Sequence, residues 1–487
     1  MSTTQDIIRM LSENAPLTNK EIAIQEVSEF KNSIKRTNMI LGQAYYENKN
    51  QILDKVRTVI GEGGVRTEIN NLANNKLIHG FLKKLVDQKT GYLLSKPFSL
   101  QTDGPDDYHE RLTTYFDKKF QRTLKNLGKN AINKGIAWLQ VYYSEEGLLS
   151  FKIIPSEEIV PLWKDNAHTE LDAIIRFYEI VYYEGKKKNK VEVIEYWDTK
   201  GVLRFTQDPK TNQYLEFGEL ESHFRYVDKE KNDHPYNWDR VPFIPWKYND
   251  EEQPLIAMIK SLVDDYDKRL SENADNIEDM PSSILVLKNY GDGKLEDARR
   301  NIAQLRMVRT EGDGGLDTIS IDIDTTALIN HISEVRKSIY EFGRGVDTQT
   351  DKFGNNPSGI GLRSLYQDLD LDANTIETEF QDSFEQLLWF VDEDISAQTG
   401  VDYSEYEVTL ILNRDILINE TEAITNVKNS VGLISDETNR ANHPWVTDPL
   451  EEERRIEKEQ KTAMEQFASG QFAFGQQQEQ PGGGEDE

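Results

Sequence analysis

The spacing of apolar residues divides the chain into segments of different grain. Residues 1–135 read as mostly helical. From Asn71 to Leu94, Leu72, Leu77, Ile78, Phe81, Leu82 and Leu85 fall on one side at three- and four-residue steps, with a stop at Gly91 and Pro97 just beyond. From about 136 to 247 the pattern shortens to runs dense in β-branched and aromatic residues: "AWLQVYY", "LLSFKIIP", "AIIRFYEIVYY", "KVEVIEYW", "VLRFTQ" and "HFRYV". The clusters "SEEG", "EGKKKNK", "DTKG" and "DPKTNQ" divide them, which predicts antiparallel hairpins. Residues 1–247 are therefore expected to form an α+β body.

Long helices follow. After the acidic "NDEEQ", which suits a helix N-terminus, Pro254 opens a segment running to about Asp279. Its stripe is Leu255, Ile259, Leu262, Tyr266, Leu270, Ala274 and Ile277. Such a helix extends about 39 Å at ~1.5 Å per residue, more than a small core covers, so it is expected to pack in a bundle or between subunits. Residues 281–324 read as a compact insert: strand "SSILVLKNY", helix "GKLEDARRNIAQLRMV", strand "LDTISIDID". A second long helix spans Thr325 to Phe342, with a seam of Leu328, Ile332, Val335, Ile339 and Phe342 that calls for a partner helix. The polar "VDTQTDKFGNNPSG" (346–359) comes next. Residues 361–397 are helical again, with Leu362, Leu365, Leu369, Ala373, Ile376, Phe380, Phe384, Leu387 and Val391 on one stripe. A strand at 405–412, a helix at 418–434 and a charged helix opened by Asp448-Pro449-Leu450-Glu451 complete the pattern. The Gln- and Gly-rich tail is expected to be disordered.

Charge narrows the function. The 487 residues include 57 basic and 86 acidic ones, a net charge of −29. Such a surface repels phosphate, which argues against broad nucleic-acid binding and against anionic membranes, while leaving one local DNA contact open. There is no cysteine, hence no disulfide and no thiolate chemistry. No signal peptide and no run of membrane-spanning length is visible, so the expectation is a soluble protein made inside a cell.

The search for catalytic chemistry returns little. No G-x-x-x-x-G-K-[ST] occurs, and "GEGGVRT" (61–67) reads as a turn. The 7 histidines lack metal-ligand spacing. Asp264, Asp265 and Asp267 read as a solvated helix face. Asp368, Asp370 and Asp372 read as surface charge, with a divalent-ion site as the alternative. No enzyme activity, cofactor or metal is expected.

One arrangement carries information: a body, a long helix, a compact insert, a second long helix, a polar loop and a third helix. Two long helices flanking a compact module form a stalk with a knob at its far end, and the loop returns where stalk meets body. Seams this extended are best satisfied by neighbouring copies in a ring. Loops of this length are usually functional or disordered.

Several stretches, in this order and spacing, resemble the portal proteins of tailed bacteriophages, of the type common in long-tailed phages of Gram-positive bacteria. They are "AYYENKNQIL" (44–53), "NNKLIHGFLKKLVDQKTGYLLSKPF" (74–98), "GIAWLQVYYSEEGLLSFKIIPSEEIVPLW" (135–163), "VPFIPWKYNDEEQPLIAMIKSLVDDYDKRLSENADNIEDMPSSILVLKNYG" (241–291) and "SGIGLRSLYQDLDLDANTIETEFQDSFEQLLWF" (358–390). The resemblance covers about residues 40–465. It implies an α+β, mainly helical portal fold: a wing (1–252, with 360–430), two stem helices (253–280 and 325–345), a small α/β clip (281–324), a tunnel loop (346–359), a helical crown (431–468) and a disordered tail (469–487).

It further implies a ring, typically of about twelve subunits, at one vertex of the capsid in the virion, after assembly in the host cytoplasm. Double-stranded DNA enters through the central channel, driven by the terminase large subunit, and leaves past a head-completion or adaptor protein. The major capsid and scaffolding proteins are further implied partners, and no membrane is. On the tunnel loop, Lys352 offers one phosphate contact per subunit, while Thr350, Asn355 and Asn356 offer weak, exchangeable hydrogen bonds. Gly354 and Gly359 permit unusual backbone angles there. The channel wall is expected to be mainly acidic, with positive charge confined to few rings, since a basic lining would stall the cargo. In the clip, Lys288, Lys294, Arg299 and Arg300 are candidates for motor or adaptor contact, or for a solvated helix face. A metal-dependent nuclease or other catalytic subunit of the packaging machine, and a non-viral helical scaffold, stay open as alternatives.

Overall fold

The computed structural model describes residues 18–60, 64–69, 72–227, 233–279, 284–288, 294, 312–319, 325–349, 359–414, 420–446 and 449–468. It is 49% helix and 23% strand, the mixed class expected. Helix α1 (Asn19–Lys31) starts at a capping box, Thr18 and Glu21 satisfying each other's backbone amides. Helix α2 (Ile34–Tyr46) is capped by Ser33. Strands β1 (Thr58–Ile60) and β2 (Arg66–Glu68) pair antiparallel, so Arg66 and Thr67 of "GEGGVRT" belong to a strand rather than a turn, while residues 61–63 lie outside the described residues. Helix α3 (Phe81–Leu94), strand β3 (Ser99–Thr102) and helices α4 (Asp106–Tyr115) and α5 (Lys118–Lys134) follow, α5 capped by the Asp117 carboxylate.

The single helix expected over 71–94 is corrected. Only Phe81–Leu94 is helical, and residues 72–79 run extended. Nor does Gly91 stop the helix, which continues to Leu94.

The hairpin region matches its alternation. Strands β4 (Ile136–Tyr143), β5 (Leu149–Ile154), β6 (Ile159–Trp163), β7 (Leu171–Glu184), β8 (Lys187–Asp198), β9 (Gly201–Gln207), β10 (Tyr214–Glu216), β11 (Phe224–Val227), β12 (Asp233–Tyr236) and β13 (Phe243–Lys247) are all in antiparallel pairings. They make a five-stranded sheet ordered β10-β9-β8-β7-β6, a three-stranded sheet β13-β4-β5 and the separate β11-β12 pair. The "EGKKKNK" turn is shorter than expected, because Lys187–Lys190 stay in the ladder opposite Val181–Glu184. Gly185, at φ 63°, supplies the reversal, and the lysines point into solvent where their charge costs nothing.

Helix α6 (Leu255–Asp279) leads to strands β14 (Ile284–Lys288) and β15 (Gly315–Ile319), paired antiparallel with Ile284 opposite Ile319. The helix expected between them lies outside the described residues. Helix α7 (Thr325–Phe342) packs back along α6, and α8 (Gly359–Thr399) is 41 residues long. The body closes with β16 (Val408–Ile411), paired to β3, then α9 (Glu420–Ser430), α10 (Asp436–Ala441) and α11 (Pro449–Ala468). The helix expected at 418–434 is described only over Glu420–Ser430 and ends before the turn at 431–434, so α10 lies beyond it; residues 418 and 419 and the tail from 469 lie outside the described residues.

One core joins α3, α5, α6, α7 and α8 with β4 and β13; the other lies between α1 and the five-stranded sheet. On α8 the stripe from Leu369 through Phe380 and Phe384 to Val391 is buried as expected, Trp246 meeting Phe380 edge-on at 4.9 Å. The seams of α6 and α7 need one correction. Their body-proximal halves, Ile259, Val263, Val335 and Ile339, are already covered within one chain. Among the described residues, the large apolar side chains of the two helices left exposed are Ile277 (67%), Ile329 (64%) and Phe342 (58%), so a neighbouring copy has these and the half-buried Leu262, Leu270, Leu328 and Ile332 left to cover.

Candidate functional site

The root of the polar loop is built where α7 runs into "FGRGV" (342–346). Gly343 and Gly345 pass so close to α3 that a Cβ would lie 2.8 Å from Leu85 Cδ1 at the first and 2.2 Å from Leu85 Cδ2 at the second. Arg344 between them takes a left-handed φ of 48°. The next residue, Val346, is buried, and the Gln88 side chain brackets its backbone. Gln88 Oε1 accepts from the Val346 amide at 2.9 Å, and Gln88 Nε2 donates to its carbonyl at 3.1 Å. A side-chain amide here does what a neighbouring strand would do.

Arg336, on the last turns of α7, closes the root from the other side. Its guanidinium donates to both Asp347 oxygens (2.8 and 2.9 Å) and to Gln349 Oε1 (3.0 Å). This forked, charge-assisted geometry is among the stronger hydrogen bonds a protein makes. The Arg336 bonds hold the Asp347 carboxyl below the usual carboxylate range, against partial burial, with help from the Gln349 amide.

Beneath the root lies a buried polar cluster. Lys89 Nζ, on α3, donates to Asp372 Oδ2 at 2.7 Å and to the Arg344 carbonyl at 3.1 Å. Tyr248, just after β13, donates its hydroxyl to Asp372 at 3.0 Å, and the Arg344 guanidinium stands 3.5 Å from Asp372. Burial pushes the Lys89 ammonium down, opposed by the Asp372 carboxylate. It pushes the Tyr248 phenol up, in the same sense as that carboxylate. Next to it, Asp370 accepts from Tyr92 and from Arg414 (3.1 Å), which also reaches Glu377 (2.6 Å). The reading of this aspartate run as surface charge is therefore corrected at two positions. Asp372 balances a buried lysine, Asp370 is paired, and Asp368 alone is exposed.

A second polar array secures α6, and it corrects the solvated-face reading of Asp267. The extended residues 73–79 lie along the helix, and every other backbone amide donates to a side chain one helical turn further back. Ala73 donates to Asp279 (2.8 Å), Asn75 to Asp275 (2.6 Å), Leu77 to Ser271 (2.9 Å) and His79 to Asp267 (2.9 Å). The match is geometric: two extended residues advance about 6.6 Å, four helical residues about 6.0 Å. Lys55 and Arg57 pair with Asp275 and Asp279. Burial raises the Asp275 carboxyl, but the Lys55 and Asn75 bonds more than reverse it. These donors also explain why 72–79 is not helix.

The loop residues Thr350, Lys352, Asn355 and Asn356 lie outside the described residues, as do Arg299 and Arg300. Lys288 is exposed on β14 and pairs with Asp317 across the ladder; Lys294 is exposed. Among the described residues no three His, Asp or Glu side chains are placed to hold a metal ion. The residues that spacing alone missed are Gln88, Lys89, Arg336, Asp347 and Asp372. The one local signal was Gly-Arg-Gly at the end of a helix.

Arg336→Met is expected to destabilise the root by about 1.5–3 kcal/mol, the range for hydrogen bonds to charged groups. Because the folded Asp347 carboxyl titrates below its unfolded value of about 3.9, that contribution is fully present above this pH and is lost as pH falls through the lower folded value. Thermal melts of both proteins should differ at pH 7 and converge in acid; a gap unchanged at low pH would contradict the assignment.

Comparison with known proteins fits this architecture. The sequence model of the family described as "Phage portal protein, SPP1 Gp6-like" matches residues 29–466. The portal protein of Bacillus phage SPP1 is 29% identical over 474 residues, covering 96% of this chain and 92% of that protein. The portal protein of Clostridium phage phiCD119 is 30% identical over 443 residues, covering 88% and 93%. Among solved structures, a chain from the neck of a native GTA particle computed with C12 symmetry aligns at TM-score 0.37 and 13% identity, covering 74% of this chain and 88% of that one. One from the neck of an empty GTA particle, computed with C6 symmetry, reaches 0.41 and 13%, covering 83% and 98%, a similarity too loose to carry an argument. On the near-complete family match and the two sequence relatives, the chain belongs to the SPP1 Gp6-like phage portal proteins, a family of structural connectors rather than enzymes.

Proposed function

We propose that copies of this chain close into a ring at one capsid vertex of a virion, and that double-stranded DNA passes through its central hole during packaging, retention and ejection. In this reading residues 1–252 and 360–430 are the wing. The paired helices within 253–280 and 325–345 are the stem, 281–324 the clip and 431–468 the crown. The loop 346–359 faces the DNA through Thr350, Lys352, Asn355 and Asn356. The clip, with Lys288, Lys294, Arg299 and Arg300, meets the terminase large subunit and later the head-completion protein, while major capsid and scaffolding proteins surround the wing. Ring assembly precedes capsid incorporation in the host cytoplasm.

The observation that carries this reading is the root of the loop. A long polar segment springs from a stem helix through a point fixed by Gln88, Arg336 and the Lys89–Asp372 cluster. A loop that must touch moving DNA needs a compliant tip and an immovable base, since every contact force on the tip is passed to the root. Replacing 350–356 by Gly and Ser of equal length tests it in assembled heads. Ring formation should persist while DNA packaged per head falls severalfold. Packaging at the unaltered level would remove the loop from the DNA path.

A further inference from the structure

Within an acidic chain, α5 is an exception. Its sequence, KKFQRTLKNLGKNAINK, contains no Asp or Glu. Phe120, Leu124, Leu127 and Ala131 fix its inner face in the core, and Lys134 is nearly buried against Glu157 (2.6 Å). The outer face carries Lys118, Lys119, Arg122 and Lys125. All four are exposed, and none has an ion-pair partner among the described residues. From Lys118 to Lys129 the row rises about 16 Å at ~1.5 Å per residue.

The row continues toward the loop root. Lys129 Nζ stands 4.3 Å from the centre of the Tyr46 ring, and Lys83 of α3 stands 5.6 Å from the same ring. The adjacent Lys84 lies 5.1 Å from the Tyr340 ring, which Arg336 also covers at 5.6 Å. Two acids border this end: Asp87, which accepts from the Tyr46 hydroxyl (2.8 Å), and Glu47, paired with Lys49 (2.6 Å). Neither forms an ion pair with the cations on α5, although the Glu47 carboxyl, held below its usual range mainly by the Lys49 and Gln43 bonds, also feels the charge of Lys129.

We propose that the outer face of α5, with Lys83, is a second binding surface for the phosphate backbone of double-stranded DNA, separate from the loop. The inference rests on the portal reading and names a DNA contact within it. Two observations favour DNA over a protein partner. The face offers cations separated by Thr123, Asn126 and Asn130 and no exposed large apolar side chain, whereas protein interfaces centre on apolar and aromatic anchors and are depleted in lysine. Phosphate binding requires only such spaced charges. The row also ends at the root of the loop assigned to DNA.

The test is a salt titration of full-length protein binding to a short DNA duplex, followed by fluorescence anisotropy. Lys118→Gln with Arg122→Gln and Lys125→Gln should weaken binding at least tenfold at low salt and reduce the log–log salt slope by about 2–3, at ~0.9 per lost phosphate contact. The control, Lys186→Gln with Lys187→Gln and Lys188→Gln at the tip of the β7–β8 hairpin, removes the same net charge from exposed positions and should change little. Equal effects of both sets, or an unchanged salt slope, would overturn the surface. Negative-stain images of the same samples keep the two claims apart. Rings with unaltered DNA binding sink the α5 surface alone, whereas absence of rings in the unsubstituted protein sinks the portal reading.

Discussion

Asp372→Asn is expected to destabilise the protein by about 3–5 kcal/mol, the range for removing one partner of a buried ion pair. Asparagine keeps the shape but cannot balance Lys89, which is 2% exposed and whose ammonium, among the described residues, otherwise donates only to the Arg344 carbonyl. It also weakens the acceptor used by Tyr248. The variant should carry a signature that loss of packing would not produce. Burial already lowers the Lys89 pKa, and without the carboxylate the folded value falls further. The folded state then binds fewer protons than the unfolded chain, so stability should rise with pH up to about 10.4, the unfolded lysine value. Lys89→Met combined with Asp372→Leu should recover most of the loss, since replacing both partners removes the uncompensated charge. Urea melts at pH 7 and pH 9 check all three outcomes. A single-variant cost below about 1 kcal/mol would mean that water reaches the cluster, contrary to the burial of both side chains.

Asp267→Ala is expected to be the second most damaging change, at about 2–4 kcal/mol, because several donors lose one acceptor. Asp267 accepts from the His79 amide (2.9 Å), sits 2.8 Å from His79 Nδ1 and takes the Asn50 side-chain amide at 2.6 Å. Asp267 itself is out of contact with solvent. The strap along α6 should loosen from this end, so hydrogen exchange at the amides of Leu77 and His79 should accelerate well before the α8 core. Uniform acceleration across the chain would instead mean that the strap and the core unfold together.

Much of this architecture was legible in the sequence for a simple reason. Apolar periodicity reports a helix's buried face whatever covers it, so Leu255–Asp279, Thr325–Phe342 and the Leu369–Val391 stripe emerged close to their observed limits. The strap did not, because Leu72, Leu77 and Ile78 share helical spacing with the true helix after them. What decides their conformation is a set of acceptors about two hundred residues away. The same holds for Asp267 and Asp372: a carboxylate in an amphipathic stripe reads as solvent-facing unless the lysine or amide it answers is known. Arg336 and Asp347 are close in sequence, yet the turn at Gly343–Gly345 that lets them meet has no periodic signature. The family resemblance suggested the role proposed for the loop; the residues that fix its base had to come from three-dimensional contacts.

Electron microscopy of the purified full-length protein tests the central claim most directly, because a hollow assembly is visible without any partner. The account expects closed rings with a central opening, with residues 346–359 directed into it and Ile277 and Ile329 covered at the contacts between copies. A uniform population of single chains, with those side chains still facing solvent at micromolar concentration, would contradict it.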